Sequence, residues 1–317
     1  MTDYCFGVDL GGTTVKLGLF DMAGTILDKW EIKTRTENGG SQILPDIAVA
    51  VLGKMAEKGL TREQVCGIGF GVPGPVLEKN IVNNCVNLGW GRVAAADELK
   101  ALTGMPVVAG NDANVAALGE QWLGGGKGYE NVVMITLGTG VGGGVIVGGR
   151  ILAGADGAAG EIGHITMLAP EDVAGPCNCG KTGCLEQATS ANGLVSLTKL
   201  MMARRSEESC LRTLENMTAK DILDAAKAGD ALALASFDRM ADYLGRAASY
   251  IGAVVNPDVF VIGGGVSKAG EILTQTIARH YRDYAMYAMK DTPFKLATLG
   301  NDAGICGAAR MIINCFR

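Results

Sequence analysis

Three cysteines and one histidine lie close together in the chain, and the ligand candidates are His164, Cys177, Cys179 and Cys184. Three thiolates and one imidazole make a complete four-coordinate ligand set for a structural Zn²⁺ ion. Gly180 and Gly183 stand between the cysteines and permit the sharp turns that such a loop needs. The Cys-x-Cys spacing differs from the more common Cys-x₂-Cys knuckle, which leaves a loop of free thiols as the alternative. We interpret the segment as a zinc site because cytosolic loops rarely concentrate three cysteines without a use.

Two other segments match known nucleotide-binding motifs, but the elements predicted around them are not those that the motifs require. Residues 175–182 satisfy G-x-x-x-x-G-K-[ST], the pattern of a phosphate-binding P-loop. A P-loop follows a buried strand and opens a helix, whereas residues 169–174 do not read as a strand and Gly183 is a poor helix start. Residues 138–143 satisfy G-x-G-x-x-G, but strand and turn residues follow where a dinucleotide site requires a helix. We therefore reject both interpretations.

Two hairpins rich in Gly and Thr are the candidate phosphate sites. One lies within residues 9–16 and the other within residues 137–144, each directly after an apolar strand. Paired glycines let backbone N–H groups approach a polyphosphate, and Thr hydroxyls add donors. Asp9, at the end of the first strand, is suited to hold Mg²⁺ through water. The alternative for the first segment is an ordinary tight hairpin without a ligand.

A group of polar residues suits a substrate that carries several hydroxyls. Asp112 follows a buried strand and precedes a helix, which is where α/β sheets place groups that handle ligands. The alternative is that Asn111 or Asp112 is simply the N-cap of that helix. Hydroxyl groups need a ring of acceptors, and further candidates for it are the carboxylates of Glu161 and Glu186 and the amide of Asn87.

The elements that must position these residues alternate between strands and helices. Strands are predicted at residues 4–9, 15–20, 26–33, 65–70, 106–109, 132–137, 143–147, 259–262 and 295–298. Helices are predicted at residues 41–58, 94–102, 113–122, 188–203, 219–228, 231–255, 269–284 and 304–313. A strand, a Gly/Thr loop and a second strand occur twice, at residues 4–20 and 132–147. This repetition indicates an internally duplicated α/β unit, with a cleft between the two copies.

Composition and charge exclude several classes of protein. The chain has 317 residues and a formal net charge of -5, so a general nucleic-acid binder is disfavoured. Hydrophobic residues make up 48% and charged residues 19%, which excludes intrinsic disorder. The nine cysteines are an odd number, which fits reduced thiols better than a secreted disulfide framework. With neither a signal peptide nor a long apolar run visible, we expect a cytoplasmic protein without a membrane partner.

The sequence resembles the ROK family (repressor, open reading frame, kinase) of sugar kinases over essentially the whole chain. The matching segments are residues 9–16, 71–74, 111–114, 138–140, 161–164, 177–186 and 263–265. The cysteine segment with its following Glu186 is the most specific of them. The resemblance implies an actin-like, ribonuclease-H-like α/β fold with two lobes of duplicated mixed β-sheet. The expected N-terminal lobe is residues 1–112 with a C-terminal helix at about 301–317, and the expected C-terminal lobe is residues 113–300 with a zinc loop at 164–186.

The resemblance also implies a role for each matching residue. Asp112 would be the catalytic base. The sugar contacts would be Asn111, Glu161, His164 and Glu186, with Asn87 as a further candidate. The first phosphate loop would consist of Gly11, Gly12, Thr13, Thr14 and Lys16, and the second of Gly138, Thr139 and Gly140. Gly263, Gly264 and Gly265 would form the adenosine loop, and His164 with the three cysteines would bind structural zinc.

These expectations describe a kinase that transfers a phosphoryl group from Mg-ATP to the 6-hydroxyl of a hexose. Asn87 and the residues around it look most like the glucokinases of the family, and kinases for N-acetylmannosamine, allose or fructose are the alternatives. A sugar-responsive repressor is disfavoured because the first phosphate strand begins at Tyr4, which leaves no N-terminal DNA-binding domain. An actin-like filament protein is disfavoured because it needs neither a zinc loop nor acceptors for sugar. The family leads us to expect a homodimer or homotetramer.

Overall fold

The computed structural model describes residues 2–77 and 80–316. Its strands are β1 (Tyr4–Leu10), β2 (Thr14–Asp21), β3 (Ile26–Lys33), β4 (Val65–Val72), β5 (Val76–Leu77), β6 (Ile81–Cys85), β7 (Trp90–Val93), β8 (Val107–Asn111), β9 (Val132–Leu137), β10 (Val141–Val147), β11 (Arg150–Ile151), β12 (Val259–Gly263) and β13 (Phe294–Leu296). Its α-helices are α1 (Glu37–Gly40), α2 (Ile43–Lys58), α3 (Ala95–Thr103), α4 (Asp112–Leu123), α5 (Glu186–Thr189), α6 (Ala191–Arg204), α7 (Ala219–Lys227), α8 (Ala231–Val255), α9 (Glu271–Tyr284) and α10 (Ala303–Asn314). No helix within the described ranges is both long and apolar enough to span a lipid bilayer.

Two five-stranded sheets repeat one topology. The first has the order β3-β2-β1-β4-β8, and the second has the order β11-β10-β9-β12-β13. In the first sheet β1 pairs antiparallel with β2 and parallel with β4, and β4 pairs parallel with β8. In the second sheet β12 pairs parallel with both β9 and β13, whereas β10 and β11 are antiparallel. The predicted duplication of a mixed α/β unit is therefore confirmed.

The chain forms two compact units whose boundaries differ from the predicted ones. One unit comprises Met1–Glu130, Gly144–Gly160 and Leu299–Arg317, and the other comprises Asn131–Gly143 and Glu161–Thr298. Helix α4 and residues 144–160 thus belong with the N-terminal residues, although the sequence analysis placed them in the C-terminal lobe. The reason is the close packing of α4 on α10, where a Cβ atom on Gly307 would lie 1.6 Å from the backbone oxygen of Val115.

The core of the first unit forms around its central strands. Every residue of β4 is buried, as are Phe6 on β1 and Ile47 on α2. Helix α10 lies directly against the sheet, because a Cβ atom on Gly69 would come within 1.7 Å of the Ala308 oxygen. Glycine on the strand therefore permits a helix-to-sheet distance that any side chain would prevent.

The core of the second unit is formed by β12 and the long helices. All five residues of β12 are buried, and the ring of Phe260 stacks on Phe294 with the centroids 4.8 Å apart. Tyr281 of α9 packs edge-on against both rings. Helix α8 ends at Asn256, which has a positive φ of 48° and stops the helix in the left-handed conformation.

A small antiparallel sheet of β5, β6 and β7 was not predicted. Its strands are two to five residues long, and Asn83 and Asn84 are exposed within β6. Short strands with polar residues give no alternating apolar pattern, so their pairing depends on neighbours that are distant in the sequence.

Candidate active site and metal centre

Asp112 is the first residue of α4, directly after the end of β8. Its Oδ1 accepts a hydrogen bond from the backbone N–H of Ala113 at 2.7 Å and one from Nδ2 of Asn111 at 3.1 Å. Asn111 is the N-cap of the helix, since its Oδ1 accepts from the N–H of Asn114 at 3.2 Å. Asn111 also donates from Nδ2 to the oxygen of Gly74 at 3.1 Å. A carboxylate held by these bonds has a fixed direction, which a general base requires.

Asp9 lies near the end of β1, opposite Lys16 on β2. Burial raises the pKa of the Asp9 carboxyl, the negative charge of Asp112 raises it further, and the ammonium of Lys16 opposes both effects. The ammonium group of Lys16 lies 3.5 Å from the backbone oxygen of Asn301. The first unit thus brings together two carboxyl groups and one lysine, which is a charge pattern that a bound cation would stabilise.

Hydrogen bonds hold the base of the first hairpin (residues 11–14), whereas its tip is exposed to solvent. Gly11 donates its N–H to the oxygen of Thr14 at 3.0 Å, and the Thr34 hydroxyl donates to the oxygen of Gly11 at 2.7 Å. Gly12 and Thr13 are exposed, and apart from Gly12 and its two chain neighbours no described residue has an atom within 4 Å of the position that a Cβ on Gly12 would occupy. Backbone donors at this tip are therefore accessible to a phosphate group.

The second hairpin (residues 138–140) is held from outside by two contacts. The N–H of Ala191 donates to the oxygen of Gly138 at 2.8 Å, and the N–H of Val141 donates to Oε2 of Glu186 at 2.8 Å. Within the hairpin, the N–H of Gly138 donates to the oxygen of Gly140 at 2.9 Å. The hairpin occupies the same place between β9 and β10 that the first hairpin occupies between β1 and β2.

The four predicted metal ligands lie together in the second unit. One ligand atom from each residue lies within 4.8 Å of all the others, and the set is His164, Cys177, Cys179 and Cys184. Two sulfur ligands on one tetrahedral zinc lie roughly 3.7 Å apart at a Zn–S distance of about 2.3 Å. The Sγ atoms of Cys179 and Cys184 are 3.5 Å apart, and Nδ1 of His164 is 3.7 Å from Sγ of Cys177. The cluster therefore fits a structural zinc ion.

The thiol groups themselves favour a bound cation. Burial raises the pKa of Cys184 to about 12, with further contributions from Cys179 and Cys177. A hydrogen bond from the backbone of Lys181 lowers the pKa of Cys179. Three crowded thiols cannot all ionise next to one another unless a positive charge compensates them, and a metal ion supplies that charge.

The zinc loop (residues 164–186) has the backbone turns that the sequence predicted. Gly180 and Gly183 have positive φ values of 86° and 87°. The loop closes on itself because Thr166 and Cys184 form an isolated antiparallel bridge. Glu161 precedes the loop, and its Oε2 lies 3.8 Å from Nε2 of His164. One nitrogen of His164 thus faces the thiols while the other faces a carboxylate.

The predicted adenosine loop lies at the end of β12. Gly264 has a φ of 84°, and a Cβ there would come within 2.5 Å of the Leu137 backbone, so this position requires glycine. Gly265 lines a cavity of about 430 Å³, whereas Gly263 and Gly264 do not. The other lining residues include lysines on and after α7, which the sequence analysis did not identify: Lys220, Lys227 and Lys268.

A second cavity in this unit is lined both by predicted site residues and by polar residues that were not predicted. It has a volume of about 520 Å³, and its lining includes Thr139, Glu186, Ser190 and Asn192. Ser190 caps α6 by accepting from the N–H of Gly193 at 2.9 Å. A Ser before a helical pattern is an N-cap signal, so the start of α6 could have been found from sequence. Asn87, in contrast, lies exposed on a 3₁₀ turn between β6 and β7.

The duplicated sheet topology defines a member of the actin-like class of α/β proteins, and its Cys₃His cluster fits a structural zinc ion. The ROK family model matches residues 5–314 of the chain. The chain belongs to the ROK family.

Several characterised proteins are similar to this chain over nearly its full length. The glucokinase of Halalkalibacterium halodurans is 44% identical over 311 residues, covering 96% of this chain and 94% of the relative. The crystal structure of a ROK hexokinase from Thermus thermophilus matches with a TM-score of 0.80 and 32% identity, covering 97% of each chain. A ROK glucokinase from Streptomyces griseus, solved with glucose and AMPPNP, matches with a TM-score of 0.73 and 34% identity, covering 97% of this chain and 98% of that one.

Proposed function

We propose that this protein is a glucokinase that transfers the γ-phosphoryl group of ATP to the 6-hydroxyl of glucose. The observation that carries the kinase assignment is the presence of two Gly/Thr hairpins at equivalent positions of a duplicated sheet, with Asp112 at a neighbouring strand end of the first sheet. The choice of glucose rests on the relatives, one of which is a glucokinase at 44% identity. The complex of the Streptomyces griseus enzyme with glucose and AMPPNP supports both substrates.

Asp112 is the proposed general base. In phosphoryl transfer the protein mainly positions the reactants and stabilises charge. The Asp112 carboxylate accepts the proton of the sugar 6-hydroxyl as that oxygen attacks the γ-phosphorus, and ADP leaves. The bonds from Asn111 and Ala113 to Oδ1 support this role because they orient the carboxylate before the sugar binds.

The two hairpins are the proposed phosphate sites. Backbone N–H groups around Gly12 can donate to phosphate oxygens because no side chain blocks them. The exposed hydroxyls of Thr13 and Thr139 are further donors. Asp9 would hold Mg²⁺, and its buried carboxyl near Asp112 is a fitting donor for that cation. When bound, Mg²⁺ supplies positive charge that offsets the charge on the phosphates. Gly265 and the neighbouring lysines are the proposed surroundings of the adenosine.

The sugar contacts are proposed to be Asn111, Glu161, His164 and Glu186, with Asn87 as a further contact. Carboxylates and amides are suitable acceptors and donors for the hydroxyls of a hexose. His164 is proposed to serve both sites, because its Nδ1 faces the thiols while Nε2 points toward Glu161. Metal ligation through one nitrogen would fix the tautomer and orientation of the ring. The zinc ion itself would have a structural role.

We further propose a homodimer or homotetramer in the cytoplasm that binds small molecules and no nucleic acid. The net charge of -5 and the free cysteines support this setting. Light scattering after size-exclusion chromatography measures the oligomeric state directly.

A coupled assay of ADP release across a panel of hexoses tests the proposed activity. The panel includes glucose, N-acetylmannosamine, allose and fructose at matched concentrations, with Mg-ATP as donor. We expect glucose to give the highest kcat/KM. A higher value for another sugar would overturn the substrate, and ADP release that no sugar stimulates would overturn the kinase assignment.

A further inference from the structure

The carboxylate of Glu186 is bonded to the second hairpin. Its Oε2 accepts the N–H of Val141 at 2.8 Å. The carboxylate also packs on the hairpin backbone, because a Cβ on Gly140 would lie 2.3 Å from Oε2. A hydrogen bond between a backbone N–H and an ionised carboxylate is stronger than one between neutral groups. Glu186 therefore fixes the end of the hairpin from outside.

Glu186 is also connected to the rest of the zinc loop, through the backbone and through hydrogen bonds of the next side chain. Glu186 follows the metal-ligand candidate Cys184 by two positions and begins α5. The next residue, Gln187, accepts the N–H of Gly183 at 2.9 Å and that of Cys184 at 3.1 Å. Its Nε2 donates to the oxygen of Gly175 at 2.7 Å. The first turn of α5 is thus anchored to the loop that carries the metal ligands.

The second oxygen of the carboxylate is available for another partner. Across residues 2–77 and 80–316, no donor is bonded to Oε1 of Glu186. Glu186 also lines the 520 Å³ cavity together with Thr139 and Gly140 of the second hairpin. One oxygen can therefore hold the hairpin while the other accepts a substrate hydroxyl.

We propose that Glu186 is a positioning residue that couples the zinc loop to the second hairpin, so that nucleotide affinity depends on the acceptor oxygen of this side chain and on an ordered zinc loop. The proposal rests on the proposed function, because it takes the second hairpin as a phosphate site. It extends that function by giving Glu186 a role in nucleotide binding in addition to its sugar contact.

Calorimetric titration of the zinc-loaded protein with ADP, without sugar, tests the coupling. In E186A the Val141 N–H loses its acceptor, and we expect an ADP Kd roughly tenfold higher than in the wild type. In E186Q the amide oxygen still accepts that N–H, so the ADP Kd is expected within about twofold of the wild type. An E186A Kd within twofold of the wild type, or an E186Q Kd as high as that of E186A, would overturn the proposal.

The matched control is E171A, which removes an exposed carboxylate from the same loop. Its ADP Kd is expected to equal that of the wild type, and a tenfold rise there would overturn a specific role for Glu186. Different results would refute the proposed kinase function and the proposed coupling through Glu186. A wild-type protein that binds no ADP refutes the proposed function, whereas wild-type binding with an unaffected E186A refutes only the coupling.

Amide hydrogen exchange gives a readout that does not require a variant. The Val141 amide should exchange slowly in the zinc-loaded wild type and much faster after the metal is removed by a chelator. The Ile135 amide, in the middle of β9, is the internal control and should change little. Equal Val141 protection with and without the metal would overturn the link to the zinc loop.

Discussion

Tyr243 on α8 donates a hydrogen bond from its hydroxyl to Oδ2 of Asp172 at 2.8 Å. Asp172 is only 4% exposed, and its carboxylate also accepts bonds from Arg204 and Arg239, each at 2.8 Å. The Tyr243 oxygen accepts the N–H of Ala169 at 3.0 Å. This network fastens residues 169–172 of the zinc loop to two helices of the same unit.

Replacing Asp172 with Asn should destabilise the protein by roughly 2–3 kcal/mol, because the buried negative charge that pairs with two guanidinium groups is removed. Burial raises the pKa of Asp172, but the bonds from Arg204, Arg239 and Tyr243 outweigh it, and the net pKa is lowered. The ionised Asp172 carboxylate therefore stabilises the folded state fully above about pH 4, which is near the usual pKa of an Asp side chain. It is lost as the pH falls through the lower pKa of the folded state.

Urea unfolding at neutral and acidic pH measures this effect. We expect the stability gap between the wild type and D172N to narrow as the pH falls below about 4. D291N, which changes an exposed carboxylate, is the control and should match the wild type at both pH values. A gap that is independent of pH would contradict the role given to the Asp172 charge.

Removing one zinc ligand should remove the metal. C184S is expected to lose about one equivalent of zinc per chain, to melt at a lower temperature and to show a raised KM for glucose, because the proposed zinc ion would hold the loop through this ligand. C210S alters an exposed cysteine outside the cluster and should keep its zinc. Elemental analysis and calorimetry provide the measurements, and a C184S protein with full zinc content would refute the ligand set.

The ionised carboxylate of Asp9 should support activity while lowering the stability of the folded protein. Burial is the main cause of the raised pKa of Asp9, so this destabilisation begins as the pH rises above the usual Asp value of about 4 and is complete above the higher pKa of the folded state. At pH 7 we expect D9N to melt at the same or a higher temperature than the wild type, while kcat/KM falls by roughly 10²-fold. The melting difference should vanish in acid. D3N, at an exposed position, is the control, and a clear loss of stability in D9N would contradict this account.

The sequence predicted those parts of the fold that depend on local chemistry. Gly59 and Gly104 end α2 and α3 in the left-handed conformation, and each lies within two residues of the end of a predicted helix, at residues 41–58 and 94–102. The metal ligands were predictable because four ligand-type residues within one short segment are rare by chance. The two hairpins were predictable because their glycines interrupt strongly apolar strands.

The parts that could not be predicted depend on contacts between distant residues. Nothing in the sequence around Glu186 indicates that its carboxylate reaches the N–H of Val141, which lies 45 residues earlier. The Asp172 network joins residues up to 74 positions apart. Whether Lys220 lines the 430 Å³ cavity depends on how α7 packs. The grouping of α4 with the N-terminal residues could not be predicted, because its packing on α10 depends on glycines far along the chain.

The most direct test of the central claim is the turnover of D112N with glucose and Mg-ATP. Loss of the general base should lower kcat by roughly 10²- to 10⁴-fold. Glucose affinity, measured by calorimetry, should stay within a few-fold of the wild type because the amide retains the shape of the carboxylate. A D112N protein that keeps near-normal kcat would contradict the assignment of Asp112 as the base.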